Sequence, residues 1–129
     1  MMYEDVTPAH FRAWGLPIFD DEHLICGFAG YSNEGRMACL FYAYPIGDRW
    51  WVGFDRNEHC TRAVHKEILR ALDVLAAVEI DGEKQITELW AQCDEAKPRA
   101  REWMEHLGFV RVTDADWKLD LRGRVRKAA

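Results

Sequence analysis

The hydrophobic pattern of this chain changes its period close to residue 60. Upstream, short polar turns separate three apolar runs, at 24–31, 36–44 and 49–54. Downstream, apolar residues recur every three to four positions, at Val64, Ile68, Leu72 and Leu75. Short runs joined by short turns are typical of an antiparallel meander, and the longer period is typical of an amphipathic helix. The sequence therefore predicts three strands followed by a long helix at about 61–79, which Asp81-Gly82 is expected to end.

The position of the next apolar run makes part of the sheet parallel. It spans 86–93 and is predicted to be a strand. A strand, a helix and a second strand within one sheet form a right-handed parallel crossover. We therefore expect 49–54 and 86–93 to be parallel neighbours, with the long helix crossing between them. A short helix that begins at Thr7-Pro8 and ends at Gly15 is predicted before the meander.

Residues 97–109 combine a helix start, a helix stop and the beginning of a strand. Pro98 suits the first turn of a helix, where its missing N–H has no helical partner. One apolar helical face follows, formed by Ala100, Trp103 and Leu107. Gly108 is typical of a helix end, and 109–112 alternates as a strand does. A last strand is predicted around 117–121.

Composition limits the class of protein. The 129 residues are 49% hydrophobic and 30% charged, which predicts one globular domain over 1–129. No apolar run is long enough for a membrane span, and the N-terminus shows no export signal, so we expect a cytoplasmic protein without a membrane partner. The net charge of −5 argues against nucleic acid as a partner. The basic tail at about 122–129 is expected to be a solvated end.

Cysteine and histidine spacing does not indicate a metal site. The four cysteines stand at 26, 39, 60 and 93, and no two of them are spaced as in a zinc or redox motif. The five histidines show no ligand pattern either. We therefore expect reduced thiols and no metal.

A short helix that leads through Leu107-Gly108-Phe109 into a strand resembles the C-terminal motif of the GNAT superfamily of N-acetyltransferases. The order of elements from the first helix onward is also similar to that fold. The resemblance implies a mixed α/β (α+β) sheet with a GNAT-like acyl-CoA N-acyltransferase fold in a single domain. It further implies acetyl-CoA as co-substrate, an amine as acceptor, and a cofactor site in the opening between the two central parallel strands.

In that superfamily the pyrophosphate of the cofactor rests on backbone N–H groups at the start of the long helix. A helix N-terminus attracts phosphate because its first amides are unpaired and its dipole is positive there. The corresponding segment here, 55–63, has no glycine, although glycines are usual in the family loop. The resemblance places cofactor contacts at Arg56, Cys60, Thr61, Arg62, Ala63 and Lys97. A plain helix start, capped by Asn57 or Thr61, is the alternative interpretation.

Acetyl transfer to an amine needs a proton acceptor and a donor for the oxyanion. The candidates for the base follow the third strand of the meander. They are Asp55, Glu58 and His59, of which we expect Glu58 or His59 to be the base. Imidazole exchanges protons readily near neutral pH, and the alternative interpretation of His59 is a surface or capping residue. Met104 occupies the position at which the family often carries a tyrosine acid. An active enzyme would therefore protonate the departing thiolate by another route, such as water.

A second resemblance is to the acetyltransferase-like proteins of tailed bacteriophages and prophages. It implies a different class of function, in which a GNAT fold serves binding or particle assembly with little or no catalysis. Acetyl-CoA binding and acceptor turnover discriminate between the two hypotheses.

Overall fold

The computed structural model describes residues 1–16, 26–93, 97 and 99–123. The helices within these residues are α1 (Pro8–Trp14), α2 (Val64–Ala76) and α3 (Ala100–Leu107). The strands are β1 (Met2–Asp5), β2 (Cys26–Tyr31), β3 (Met37–Ile46), β4 (Arg49–Arg56), β5 (Glu79–Ile80), β6 (Glu83–Lys84), β7 (Glu88–Gln92), β8 (Val110–Arg111) and β9 (Asp116–Asp120). The acidic residues at 20–22, Pro98 and most of the basic tail lie outside the described residues.

Seven strands form one mixed sheet in the order β1-β2-β3-β4-β7-β9-β8. The predicted meander is confirmed, because β2 to β4 pair antiparallel. Its strands reach Ile46 and Arg56, slightly further than predicted. The N-terminal strand β1, which pairs antiparallel with β2, was not predicted. Met2–Asp5 has no alternating apolar pattern, and the free edge of β2 supplies its partners.

The predicted parallel neighbours are confirmed as β4 and β7, with α2 between them in the chain. Their ladder consists of the single pair Trp51 and Trp90. In contrast, β3 and β4 stay paired over eight residues, from Cys39 with Arg56 to Ile46 with Arg49. Both central strands lie wholly within the described residues, and β4 continues for several residues beyond its last pair with β7. The sheet therefore opens between their carboxyl ends.

Helix α2 is shorter than the predicted helix at 61–79, and both ends have a physical reason. At the start, the Val64 amide bonds the Thr61 carbonyl at 3.2 Å and the His65 amide bonds the Arg62 carbonyl at 3.1 Å, so 61–63 is a tight turn. At the end, Asp81-Gly82 joins β5 to β6 instead of only stopping the helix. Both turn residues have positive φ, 54° and 80°, as a two-residue hairpin of the Asp-Gly kind requires.

The other two helices follow their predictions. Helix α1 begins after Thr7 and ends at Gly15, whose φ of 81° is left-handed. Helix α3 ends at Gly108, with a φ of 101°. The strand predicted at 109–112 is reduced to Val110–Arg111, because it pairs only with β9 at the edge of the sheet.

The core lies between the sheet and the two larger helices. Helix α2 buries its apolar face there, and Leu107 of α3 joins the same cluster. Helix α1 covers the other face, where the edge of the Phe11 ring meets Tyr42 of β3 at 5.0 Å. None of the helices in the described part of the chain is long and apolar enough to cross a membrane.

The junction of β4 and β7 is packed by aromatic rings and cations. Trp90 is 7% exposed and lies 6.1 Å from the ring of Trp51. Its indole N–H donates to Glu88 at 3.1 Å, and the guanidinium of Arg49 stands 3.9 Å above its ring. Trp50, which precedes Trp51 in β4, packs against the core on the opposite face of the sheet, as strand alternation requires. The junction is thus fixed from both faces of the sheet.

We expect Trp90→Ala to lower the free energy of unfolding by about 3–5 kcal/mol, because it empties a buried site at this junction. Trp90→Phe keeps most of the packing and should cost about 1 kcal/mol, from the lost bond to Glu88. Val110→Ala is the control, since Val110 is 66% exposed and its loss should cost less than about 0.5 kcal/mol. Urea unfolding measures all three. Equal costs for Trp90→Ala and Val110→Ala would contradict the role given to the junction.

Candidate functional site

The opening between β4 and β7 has a different lining on each face of the sheet. On the α2 side, Phe54 lies 4.8 Å from the Trp103 ring of α3. On the α1 side, Gly53 and Asp55 follow Trp51 at alternating positions of β4. One face of the opening is therefore aromatic, and the other carries a carboxylate.

Asp55 is held by Tyr42 of the neighbouring strand. The Tyr42 hydroxyl donates a hydrogen bond to an Asp55 carboxylate oxygen at 3.1 Å. Burial and the nearby charge of Asp55 raise the pKa of Tyr42, so the phenol keeps its proton and acts as the donor. The Asp55 carboxylate thus has a fixed orientation beside the opening.

Gly53 makes this arrangement possible. The ring of Tyr42 lies across the backbone at Gly53, and a Cβ there would collide with ring carbons. Tyr42 was not predicted as the partner of Asp55. The partnership depends on the register of β3 against β4, in which Tyr42 faces Gly53. That register follows from the two-residue turn Gly47-Asp48, which pairs Ile46 with Arg49.

The turn between β4 and α2 is organised by Asn57. Its side-chain N–H donates to the Met37 carbonyl at 2.8 Å, and its side-chain oxygen accepts the His59 amide at 2.9 Å. The interpretation of Asn57 or Thr61 as the cap of α2 is therefore wrong. The cap position is Ala63, and no side chain bonds there. Asn57 instead closes the turn and ties it to β3.

At the predicted phosphate position, Thr61 already contacts the sulfur atom of Met1. The amide and the hydroxyl of Thr61 both point at the Met1 sulfur, at 3.4 and 3.2 Å. A thioether is a weak acceptor, which an anion can displace. Arg56 and Arg62 stand at either end of the turn and are exposed, so their charges can reach a bound anion. Ala63 completes the predicted segment at the start of α2.

Glu58 and His59 form a surface pair within the turn. Nε2 of His59 stands 3.5 Å from a carboxylate oxygen of Glu58, with side-chain exposures of 31% and 80%. Both are further along the chain than Asp55, which is the only one of the three predicted bases that belongs to β4. The three candidate bases therefore lie near the same edge of the opening. Asp55 lies in β4, whereas Glu58 and His59 lie in the turn that follows it.

Cys60, the remaining predicted contact of this turn, has a second thiol as its partner. A hydrogen bond from Cys39 lowers the pKa of Cys60 to about 7, and the positive charge of Arg56 acts in the same direction. The pKa of the Cys39 thiol is raised, first by the same bond and then by burial. Cys60 is half-buried and Cys39 is fully buried.

Two positions singled out in the sequence, Lys97 and Met104, lie on the α3 side. Lys97 is exposed just before α3, and its carbonyl accepts the Ala100 amide at 3.3 Å. Met104, at the position of the family acid, packs against the core cluster. Among the described residues, no group of three or more His, Cys, Asp or Glu side chains is arranged to hold a metal ion.

A cleft of about 440 Å³ lies elsewhere, between α2 and the strands β1 and β2. Its lining is mostly apolar and includes Phe28, Val74 and Leu75, and its charged members are Asp5, Glu67 and Arg70. No residue of β4 or β7 lines it, so it is separate from the opening.

Comparison with solved structures identifies the architecture. The fold superposes on a mutant of spermidine N-acetyltransferase SpeG from Vibrio cholerae with a TM-score of 0.68 at 9% identity, covering 94% of this chain and 95% of that one. A chimera of Vibrio cholerae SpeG and hSSAT gives a TM-score of 0.66 at 10% identity, covering 94% and 97%. No family model and no curated protein matches the sequence. At such identity the likeness concerns the fold, and this chain has the fold of the GNAT N-acetyltransferases that the Leu107-Gly108-Phe109 motif indicated.

Proposed function

We propose that this protein is an N-acetyltransferase that transfers the acetyl group of acetyl-CoA to an amine. The observation that carries the proposal is the opening between β4 and β7, which are held together by one pair and separate beside the start of α2. An extended substrate can enter such an opening and bond to the exposed strand edge. Similarity to spermidine N-acetyltransferases supports the same reaction class.

The pyrophosphate of acetyl-CoA is proposed to bind at Cys60–Ala63. The start of α2 offers the positive end of a helix dipole, and Arg56 and Arg62 add two full charges. Binding displaces the Met1 sulfur from the Thr61 amide, which costs little because a thioether is a weak acceptor. Lys97 is proposed to contact the cofactor from the α3 side.

Asp55 is the proposed base. An ammonium group must lose a proton before its nitrogen can attack the thioester carbonyl, and a carboxylate accepts it directly or through one water. The C–N bond then forms, the C–S bond breaks, and the thiolate of the coenzyme leaves. Backbone N–H groups of β4 beyond Trp51, which have no ladder partner in β7, are available to the oxyanion. Water supplies the final proton, because Met104 cannot donate one.

The acceptor is proposed to be a cationic amine. Asp55 supplies negative charge, and the Tyr42 and Tyr44 rings, 5.9 Å apart, supply aromatic faces on the same side of the sheet. Spermidine, the substrate in the name of the structural neighbours, has this chemistry and serves as a probe.

The second candidate is a GNAT-fold binding or assembly protein without catalysis, related to the phage and prophage proteins. Two observations favour it. The Thr61 amide is already occupied by Met1, and Met104 packs into the core where the family acid would stand.

Calorimetry with acetyl-CoA tests the binding step. We expect a dissociation constant between about 1 μM and 1 mM, the usual range for enzyme substrates. Arg62→Ala should weaken binding by about five- to tenfold, or ~1 kcal/mol, through loss of one charge at the helix start. Arg101→Ala is the control, since that exposed arginine of α3 is paired with Glu105. The absence of heat at millimolar acetyl-CoA would support the binding-protein function instead.

Thiol release with acetyl-CoA and spermidine tests the chemistry. Asp55→Asn should lower kcat by about 10²–10⁴-fold, the usual contribution of general base catalysis, with unchanged acetyl-CoA affinity. Tyr42→Phe should lower kcat less, because the carboxylate loses only one hydrogen bond.

Asp48→Asn, in the exposed turn between β3 and β4, is the matched control and should retain full activity. If His59→Ala loses much of its kcat while Asp55→Asn keeps full activity, the base is His59 in the turn and not Asp55. Acetyl-CoA binding without turnover of any amine would leave the binding-protein function as the better account.

A further inference from the structure

Sulfur atoms converge where β2, β3 and the turn before α2 meet. A Cβ at Gly30 would collide with the Cys39 sulfur and crowd Met1 and Tyr3, so these three side chains lie against the same glycine. The Met1 sulfur in turn contacts Thr61, the residue after Cys60. Cys39 therefore faces the turn that carries Cys60.

Two hydrogen bonds hold this turn against β3, and a third closes the turn itself. The Asn57 amide donates to the Ala38 carbonyl at 3.0 Å, and its side chain donates to the Met37 carbonyl at 2.8 Å. The Cys60 amide then donates to the Asn57 carbonyl at 3.1 Å. Cys60 is thereby held in a turn that is bonded to the strand carrying Cys39, and its thiol donates to the Thr61 carbonyl at 3.7 Å. In this position each of the two thiols shifts the pKa of the other.

The two thiols differ in reactivity. Cys60 is half-buried and near Arg56, and its pKa of about 7 makes it substantially a thiolate at neutral pH. Cys39 has 0% exposure and stays protonated, so a reagent from solution does not reach it first. A half-buried thiolate next to a shielded thiol is the arrangement of an attacking and a resolving cysteine.

We propose that Cys39 and Cys60 are an oxidative modification site, which closes to a reversible intramolecular disulfide when the protein meets hydrogen peroxide. The Cys60 sulfur attacks the peroxide, so an S–O bond forms, the O–O bond breaks and one water leaves after protonation. The Cys39 sulfur then attacks the Cys60 sulfur, forming S–S and releasing the second water. Two thiols are oxidised and one hydrogen peroxide is reduced, and a dithiol reverses the bond by exchange.

The disulfide would connect β3 to the turn that precedes α2. That turn lies next to the proposed pyrophosphate position, so oxidation should also change acetyl-CoA affinity, an effect that rests on the proposed function. The disulfide itself does not rest on it, because its formation is measured without any substrate.

Peptide mapping tests the bond. The folded protein is treated with stoichiometric hydrogen peroxide, blocked with an alkylating agent and digested without reductant. We expect a Cys39–Cys60 cross-linked peptide, a whole-chain mass lower by two hydrogen atoms, and recovery of both thiols with dithiothreitol. Cys93→Ser and Cys26→Ser are the matched controls and should leave the cross-link intact. Peptides in which Cys60 is oxidised to the sulfinic acid while Cys39 stays a thiol would overturn the proposal.

Variants of the pair test the order of events. In Cys39→Ala the sulfenic acid of Cys60 has no resolving partner and should accumulate, trapped by dimedone. In Cys60→Ser, at a half-buried position that tolerates a hydroxyl, Cys39 should stay reduced. Oxidation of Cys39 at an unchanged rate in Cys60→Ser would overturn the assigned order, and circular dichroism confirms that each variant is folded.

The pH dependence of alkylation tests the same order independently. The charged and titratable groups that interact with Cys60 are Cys39, Arg56 and Tyr3. The alkylation rate of Cys60 should rise with a midpoint at about pH 7, below that of Cys26, whose pKa is raised by burial. Cys39→Ala should move the Cys60 midpoint upward, because the hydrogen bond that favours the thiolate is lost. A Cys60 midpoint at or above that of Cys26 would contradict the assignment of Cys60 as the attacking thiol.

Discussion

The rest of the structure depends on the single parallel contact between β4 and β7. Two tryptophans, Trp51 and Trp90, form the only ladder pair of these strands. The guanidinium of Arg49 stacks on the ring of Trp90. Burial of large aromatic rings and a close cation replaces the hydrogen bonds that a longer ladder would provide. Since the strands are joined at one point, they can separate beyond it without breaking the sheet. The opening is thus a consequence of how little the strands pair.

A second constraint places polar groups at that opening. Asn57 ties the turn after β4 to the backbone of β3, and Tyr42 of β3 ties the Asp55 carboxylate to the same strand. Each of these hydrogen bonds has one partner on β3, so this strand positions both the proposed base and the proposed phosphate turn. The same strand also brings Cys39 to Cys60. The thiol pair and the candidate active site therefore share a scaffold.

The structural neighbours show what is retained at about 10% identity. The fold superposes over 94% of the chain. The segment 55–63 nevertheless has no glycine, and a core methionine stands at the position of the family acid. A fold depends on the pattern of apolar residues, which many sequences satisfy, whereas a reaction depends on individual side chains. The proposed chemistry of this protein therefore rests on Asp55, Tyr42 and the turn between β4 and α2.

The sequence by itself determined the elements whose formation is local. The change of period at residue 60 predicted the meander, the α2 crossover and the parallel neighbours, and Gly15 and Gly108 marked two helix ends correctly. Local pattern suffices there because burial of one face and positive φ at a glycine are encoded within a few residues. The Asp81-Gly82 hairpin was also encoded locally, although the longer helical period obscured it.

Only the tertiary structure decided what depends on register and on free edges. Strand β1 exists because β2 offers an unpaired edge, and its own sequence has no strand pattern. Tyr42 meets Asp55 only once β3 and β4 are paired, and Cys60 comes near Cys39 only once the turn after β4 bonds back to β3. Residues such as these, distant in sequence or on adjacent strands, are joined by long-range pairing. That pairing is why the site residues could be placed on the chain from sequence, while their partners could not.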